Sequence, residues 1–126
     1  MNLSAPLAWT AITSAQSYAV VMTDTSINLI HWVIWDIPSS ALSLPEGVPN
    51  VALPSSGKQT KSYDGATFGY LGPCPPSTHV YRFELFALDA VTLPQVTTAS
   101  SRAQVKAAIT SHQLGAAQEL TASYTP

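Results

Sequence analysis

Only one cysteine, Cys74, stands in the chain, so no internal disulfide can brace the fold and packing alone must hold it. Charge is scarce as well. Asp, Glu, Lys and Arg make up 10% of the 126 residues, the formal net charge is -2, and the five cations Lys58, Lys61, Arg82, Arg102 and Lys106 are scattered. With no basic patch, the electrostatic footprint of a nucleic-acid binder is missing. No apolar run is long enough to span a bilayer, which excludes an integral membrane segment of the helical kind. No signal peptide, internal repeat, linker or low-complexity tract is visible. At 46% hydrophobic the chain reads as one soluble globular domain over residues 1–126, with a cytoplasmic location expected.

Proline is what the chain has in quantity, with ten residues. Three of them crowd the loop Gly72-Pro73-Cys74-Pro75-Pro76, where each fixes its own φ, removes an amide donor and restricts the residue before it. Such a loop is neither a helix nor a central strand, and its shape is set before any ligand arrives. It runs into a strand whose alternation puts His79, Tyr81, Phe83, Leu85 and Ala87 on one face and Val80, Arg82, Glu84, Phe86 and Leu88 on the other. A second histidine opens the strand from His31 to Ile37 that Pro38 ends, and Asp24 closes the apolar run from Tyr18 to Met22. Asp24, His31, His79 and Tyr81 therefore all lie at strand ends.

Turn clusters at Pro45-Glu46-Gly47, Pro54-Ser55-Ser56-Gly57 and Tyr63-Asp64-Gly65 separate short β-rich segments over residues 6 to 90, the pattern of a β-sandwich. After Leu93-Pro94, Ser100 or Ser101 is placed to cap a helix over Arg102 to Ser111. His112 to Leu120 reads as a second helical piece interrupted by Gly115.

At these residues the chain resembles the phosphatidylethanolamine-binding protein family, which includes the Raf kinase inhibitor proteins, over nearly its whole length. Ser4-Ala5-Pro6-Leu7-Ala8-Trp9 is similar to the family's SPxLxW entry, and His31-Trp32 with Asp36-Ile37-Pro38 to its HW strand. Gly69 to Pro76 is similar to the G-Y-x-G-P-x-P-P loop, His79 to Phe83 to H-R-Y-x-F, and Ala87-Leu88-Asp89 to A-L-D. The stretch from His112 to Tyr124 is similar to the family's closing helix and terminal tyrosine. The resemblance implies an antiparallel Greek-key β-sandwich with one or two short C-terminal helices. It also implies a ligand pocket formed by Asp24, His31, His79, Tyr81, Tyr124 and the loop Gly72, Pro73, Cys74, Pro75 and Pro76.

Three departures stand against it. The D-P-D-x-P motif is reduced to Asp24-Thr25-Ser26-Ile27-Asn28, so one pocket wall must be rebuilt from Ile27, Leu29 and Ile30. The arginine of H-R-Y-x-F is Val80, with Arg82 two residues on along the outward face and suited to a surface ion pair. The first motif lies almost at Met1, where the family carries earlier strands; a sheet edge left bare in that way favours a homo-oligomer, most simply a dimer.

Each candidate also has a purely structural reading: a strand-end histidine satisfied by a carbonyl for His79 and His31, a turn residue for Asp24, and a core aromatic for Tyr81. Trp32 and Trp35 read as core, His112 as a helix-packing or capping residue, and Cys74 as a small buried hydrophobe before a nucleophile. A metal site from Asp24, His31 and His79 lacks any close ligand pair, so no metal and no cofactor is expected. The leading expectation is a module that binds a small anionic or apolar oxygenated ligand through imidazole and phenol donors. Two alternatives stand beside it: an isomerase or cyclase using Asp24, His31, His79 and Tyr81 for general acid–base catalysis, and a protein-interaction regulator such as a kinase inhibitor.

Overall fold

The structure is a computed structural model and describes residues 2–126. In chain order it contains β1 (Leu7–Ala8), β2 (Ser17–Asp24), β3 (Leu29–Pro38), β4 (Ser43–Leu44), β5 (Lys58–Gln59), β6 (His79–Leu88), α1 (Arg102–Ser111) and β7 (Gln118–Tyr124). Five strands form one antiparallel sheet in the order β5-β3-β2-β6-β7, and β1 pairs with β4 in a separate two-stranded piece. The expected antiparallel, mainly β architecture is borne out.

β2 lies at the centre of the sheet, and all eight of its residues are buried. Such continuous burial requires cover on both faces, and the alternation of side chains assigns each face its cover. Tyr18, Val20 and Met22 pack with Trp32, Ile34 and Leu85 beneath Leu7, Leu44 and Val48 on the β1–β4 side. Ala19 and Val21 pack with Val33, Trp35, Phe86 and Leu88 against Val105, Ala108 and Ile109 of α1. Trp32 and Trp35 are thus core residues on opposite faces of one strand. Truncating either to Ala removes a filled volume and costs about 3–5 kcal/mol.

Ser101 caps α1. Its side chain accepts from the Gln104 amide at 3.1 Å while Gln104 Oε1 accepts from the Ser101 amide at 2.9 Å, a reciprocal capping box. The second helical piece does not form. α1 stops at Ser111 with His112 as its C-cap, Gly115 turns the chain at φ +71°, and Gln118–Tyr124 is strand β7, paired along β6. Gln, Glu, Leu and Ala suit a helix in isolation, but seven consecutive pairings to β6 outweigh that preference.

One buried polar unit fixes the near edge. Gln59 is fully buried; its Oε1 accepts from Trp32 Nε1 at 2.8 Å, and its Nε2 donates to the Pro49 and Val51 carbonyls at 2.9 Å each. Gly69 lies against this amide at φ +86°, where a Cβ would fall 2.6 Å from it, so only glycine fits.

Candidate functional site

Asp24 is the last residue of β2 and pairs with Tyr81 of β6; two residues earlier on β6, and so on the same face, is His79. His79 Nδ1 and Asp24 Oδ2 are 2.6 Å apart, and Asp24 Oδ1 accepts from the Ser26 amide at 2.9 Å. Asp24 is essentially inaccessible to solvent, as is Tyr81.

His31 reaches the same place by a fault in the strand. Met22 pairs with Trp32 and Thr23 with Ile30, so His31 falls between two successive pairings without a partner of its own. Strict alternation would aim it at the α1 layer, away from Trp32's face. The bulge re-aims it beside Tyr81, with ring centroids 5.3 Å apart in an edge-on arrangement. His31 Nδ1 donates to the Leu71 carbonyl at 3.1 Å, and the Tyr63 ring lies against it at 4.5 Å between centroids.

The residues leading into the proline loop are held by side chains on their backbone groups. Asn2 and Asn50 donate to the Tyr70 carbonyl, His31 to that of Leu71, and Tyr63 Oη to that of Gly72 at 2.9 Å; Asn2 Oδ1 accepts from the Gly72 amide at 2.7 Å. The result is a recess of about 160 Å³ walled by Asp24, His31, His79 and Tyr81, by Cys74, Pro75 and Pro76, and by Tyr63, Ile27 and Leu29.

Most of the expected site residues therefore converge. Gly72, Pro73 and Tyr124 do not line this recess; they line an adjoining groove with Met22, Tyr70 and Phe83, and Tyr81 is common to both. Ile30 packs towards α1 and takes no part in the rebuilt wall, which Ile27 and Leu29 supply. Cys74 is exposed, not a buried hydrophobe, because the rigid prolines on either side hold it out at the recess wall. Arg82 points away and pairs with Glu84 at 3.2 Å. Tyr63 was not among the expected site residues: it belongs to a turn cluster nine residues before Gly72, and nothing in that spacing marks it.

Burial and hydrogen bonding together set the protonation of the site. Burial pushes the Asp24 carboxyl up, but the His79 hydrogen bond, the Ser26 amide and the His79 charge together bring it below the usual carboxylate range. Burial also holds His31 below the ordinary histidine value, against the opposing pull of the Leu71 carbonyl and Asp24. The Tyr81 phenol is pushed up to about 12, first by burial and then by the Asp24 charge. At neutral pH the recess thus presents a carboxylate bound to one imidazole, a second imidazole that is neutral, and a phenol that keeps its proton. Each histidine has its Nδ1 engaged, so each is left with Nε2 to offer. Among the described residues, no three or more His, Cys, Asp or Glu gather as a metal site.

Comparison with known proteins fits this geometry. The phosphatidylethanolamine-binding protein model matches residues 1–125. The chain belongs to the phosphatidylethanolamine-binding protein family. Within that family it is 38% identical over 122 residues to a UPF0098 protein of Methanothermobacter thermautotrophicus, covering 93% of this chain and 80% of that protein. It is 34% identical over 99 residues to a UPF0098 protein of Aquifex aeolicus, covering 73% of this chain but only 57% of that longer relative. The crystal structure of Escherichia coli YbcL, described as a new member of the mammalian PEBP family, superposes with a TM-score of 0.86 at 29% identity, covering 99% of this chain and 81% of that one. Among the described residues of this family member, no helix is long and apolar enough to cross a membrane.

Proposed function

We propose that the recess binds a small oxyanion, a phosphate or carboxylate, carried on a compact apolar body. The observation that carries this reading is the 2.6 Å Asp24–His79 pair beside the buried Tyr81. Asp24 fixes the His79 tautomer, so that Nε2 is the nitrogen available to a ligand, and the Tyr81 hydroxyl, which stays protonated and also faces Asp24, stands beside it. Asp24 is itself negative, so an anion is favoured when His79 carries a second proton and the pair is neutral. A recess of about 160 Å³ has room for a phosphate-sized group. Ile27, Leu29, Pro75 and Pro76 on its wall favour a ligand with an apolar part next to its charge.

The test follows the His31 and His79 ring resonances during titration with inorganic phosphate, acetate and butyl phosphate. Saturable shifts, weaker in Tyr81→Phe and absent in His79→Ala, are expected. Ring resonances that stay fixed at millimolar anion overturn the reading.

The same pair supports a second reading, general acid–base catalysis. A carboxylate-oriented imidazole with a phenol beside it can move a proton while Tyr81 donates to a developing oxyanion. Conversion of a bound carbonyl compound, lost in Asp24→Asn, would favour turnover over binding.

A further inference from the structure

Three of the cations are matched by carboxylates: Lys58 by Asp36 at 2.9 Å, Arg82 by Glu84 at 3.2 Å and Lys106 by Glu84 at 3.8 Å. Among the described residues, Lys61 and Arg102 have no such carboxylate, and these two meet on one cavity of about 410 Å³ that the start of α1 closes. Arg102 is partly buried. Its Nε is shut off from solvent with no hydrogen-bond partner among the described residues, and its Nη1 makes only a long contact of 3.5 Å to the Lys61 carbonyl. Burial draws the guanidinium below its ordinary value, and the charge that opposes this is that of Asp64. Asp64 is already engaged, however, since its carboxylate accepts from the Ala66 and Thr67 amides and from the Thr67 hydroxyl. A partly desolvated group with five donors and one long contact is under-satisfied. The Lys61 ammonium has the Phe68 ring for company, 5.7 Å away.

We propose that this cavity is a second oxyanion site, which takes a phosphate, free or as a small monoester, between Arg102 and Lys61. It is separate from the recess, although Leu29 lines both. The rest of its wall also donates. The capping box of α1 uses the Ser101 and Gln104 amides, which leaves those of Arg102 and Ala103, at the first two helical positions, without an intrahelical acceptor. Ser101 Oγ accepts from the Gln104 amide and Ser100 Oγ from the Thr97 amide, so each hydroxyl keeps its proton for another acceptor. No acidic residue stands in the first turn of α1 to repel an anion. The number of donors favours a phosphate over a carboxylate: a monoester brings three acceptor oxygens and a charge that two cations balance, where a carboxylate brings two oxygens and a single charge.

Backbone amide and arginine side-chain NMR resonances, followed during titration with inorganic phosphate and with methyl phosphate, test the site. Saturable shifts of the Arg102 and Ala103 amides and of the Arg102 guanidinium are expected, and they persist in His79→Ala, which disables the recess and so separates the two sites. Arg102→Gln raises the Kd read at the Ala103 amide at least about tenfold, because a charged partner is lost. Lys61→Gln, at an exposed position, raises it about twofold to fivefold. Lys106→Gln, whose cation is already matched, leaves it largely unchanged. Tighter binding of methyl phosphate assigns the site to monoesters, and tighter binding of inorganic phosphate assigns it to the free ion. Amides at the start of α1 that stay fixed at millimolar phosphate overturn the proposal. So do shifts that vanish in His79→Ala, which would belong to the recess, and shifts that survive in the Arg102→Gln, Lys61→Gln double variant, which would mark an adventitious ion only. Binding seen with phosphatidylglycerol vesicles and not with either soluble phosphate overturns it as well.

Discussion

The protein contains the same chemical pair twice, with different results. His79 Nδ1 sits 2.6 Å from Asp24, and His112 Nδ1 sits 2.7 Å from Asp89. The side chains of the first pair are 13% and 2% exposed, those of the second 28% and 55%. At the second pair both ring nitrogens are engaged, and the backbone holds the end of α1 to the end of β6. The His112 amide caps Ile109, the Asp89 amide donates to the His112 carbonyl at 2.9 Å, and Gln95 Nε2 donates to His112 Nε2 at 2.9 Å. At the first pair Nε2 has no such partner among the described residues, and His79 lines a recess with Tyr81, His31 and Tyr63. The contact itself therefore does not mark a site. What distinguishes the two is a ring nitrogen left over at the wall of a recess.

The largest separation is expected in stability. Asp24→Ala leaves the His79 ring N–H without its partner in the recess and should cost about 1–3 kcal/mol. Asp89→Ala, at an exposed pair, should cost no more than about 1 kcal/mol. Urea denaturation of the two variants measures both, and equal losses would break the comparison at its base.

The pH dependence of stability should follow the buried pair and its neighbour. His31 in the folded protein resists a proton that the unfolded chain accepts near pH 6.5, so the unfolded state binds more protons as the pH drops through that value. Its contribution is complete above about pH 6.5 and declines towards the depressed folded value. Asp24 acts in a lower window, with its contribution complete above about pH 4 and lost as the pH falls through its lowered value. Urea midpoints for wild type and His31→Asn between pH 7 and 5.5 should diverge, with the wild type falling faster. Parallel curves would show that His31 is not held neutral by the fold.

Much of this was legible in the sequence because strand alternation is a strict rule. It put His79 and Tyr81 on one face, and the end of an apolar run put Asp24 level with them. The helix from Arg102, with Ser101 one of its two candidate caps, was legible for the same kind of local reason. What was hidden depends on pairing. His31 is turned into the recess by a bulge, which breaks the alternation used to place the rest, and β7 is a strand only because β6 lies beside it. Tyr63 comes from a turn whose distance from His31 is set by the fold and not by spacing, and Cys74 is exposed by the stiffness of the prolines around it.

The smallest effect sharpens the comparison most. Tyr81→Phe keeps a buried ring and removes only the hydroxyl, and Gln95→Ala removes one exposed amide from the His112 pair. Each should change stability by about 1 kcal/mol or less. By stability alone the two variants are expected to look alike. Phosphate titration should separate them, because the Tyr81 hydroxyl is a donor facing the recess wall shared with His79, whereas Gln95 serves a pair that has no group to offer. A loss of phosphate affinity confined to Tyr81→Phe would show that the two His–Asp pairs differ in what surrounds them and not in how well they are made. An equal loss in Gln95→Ala would mean that the end of α1 and the recess are coupled through β6, and the division between site and clasp would have to be given up.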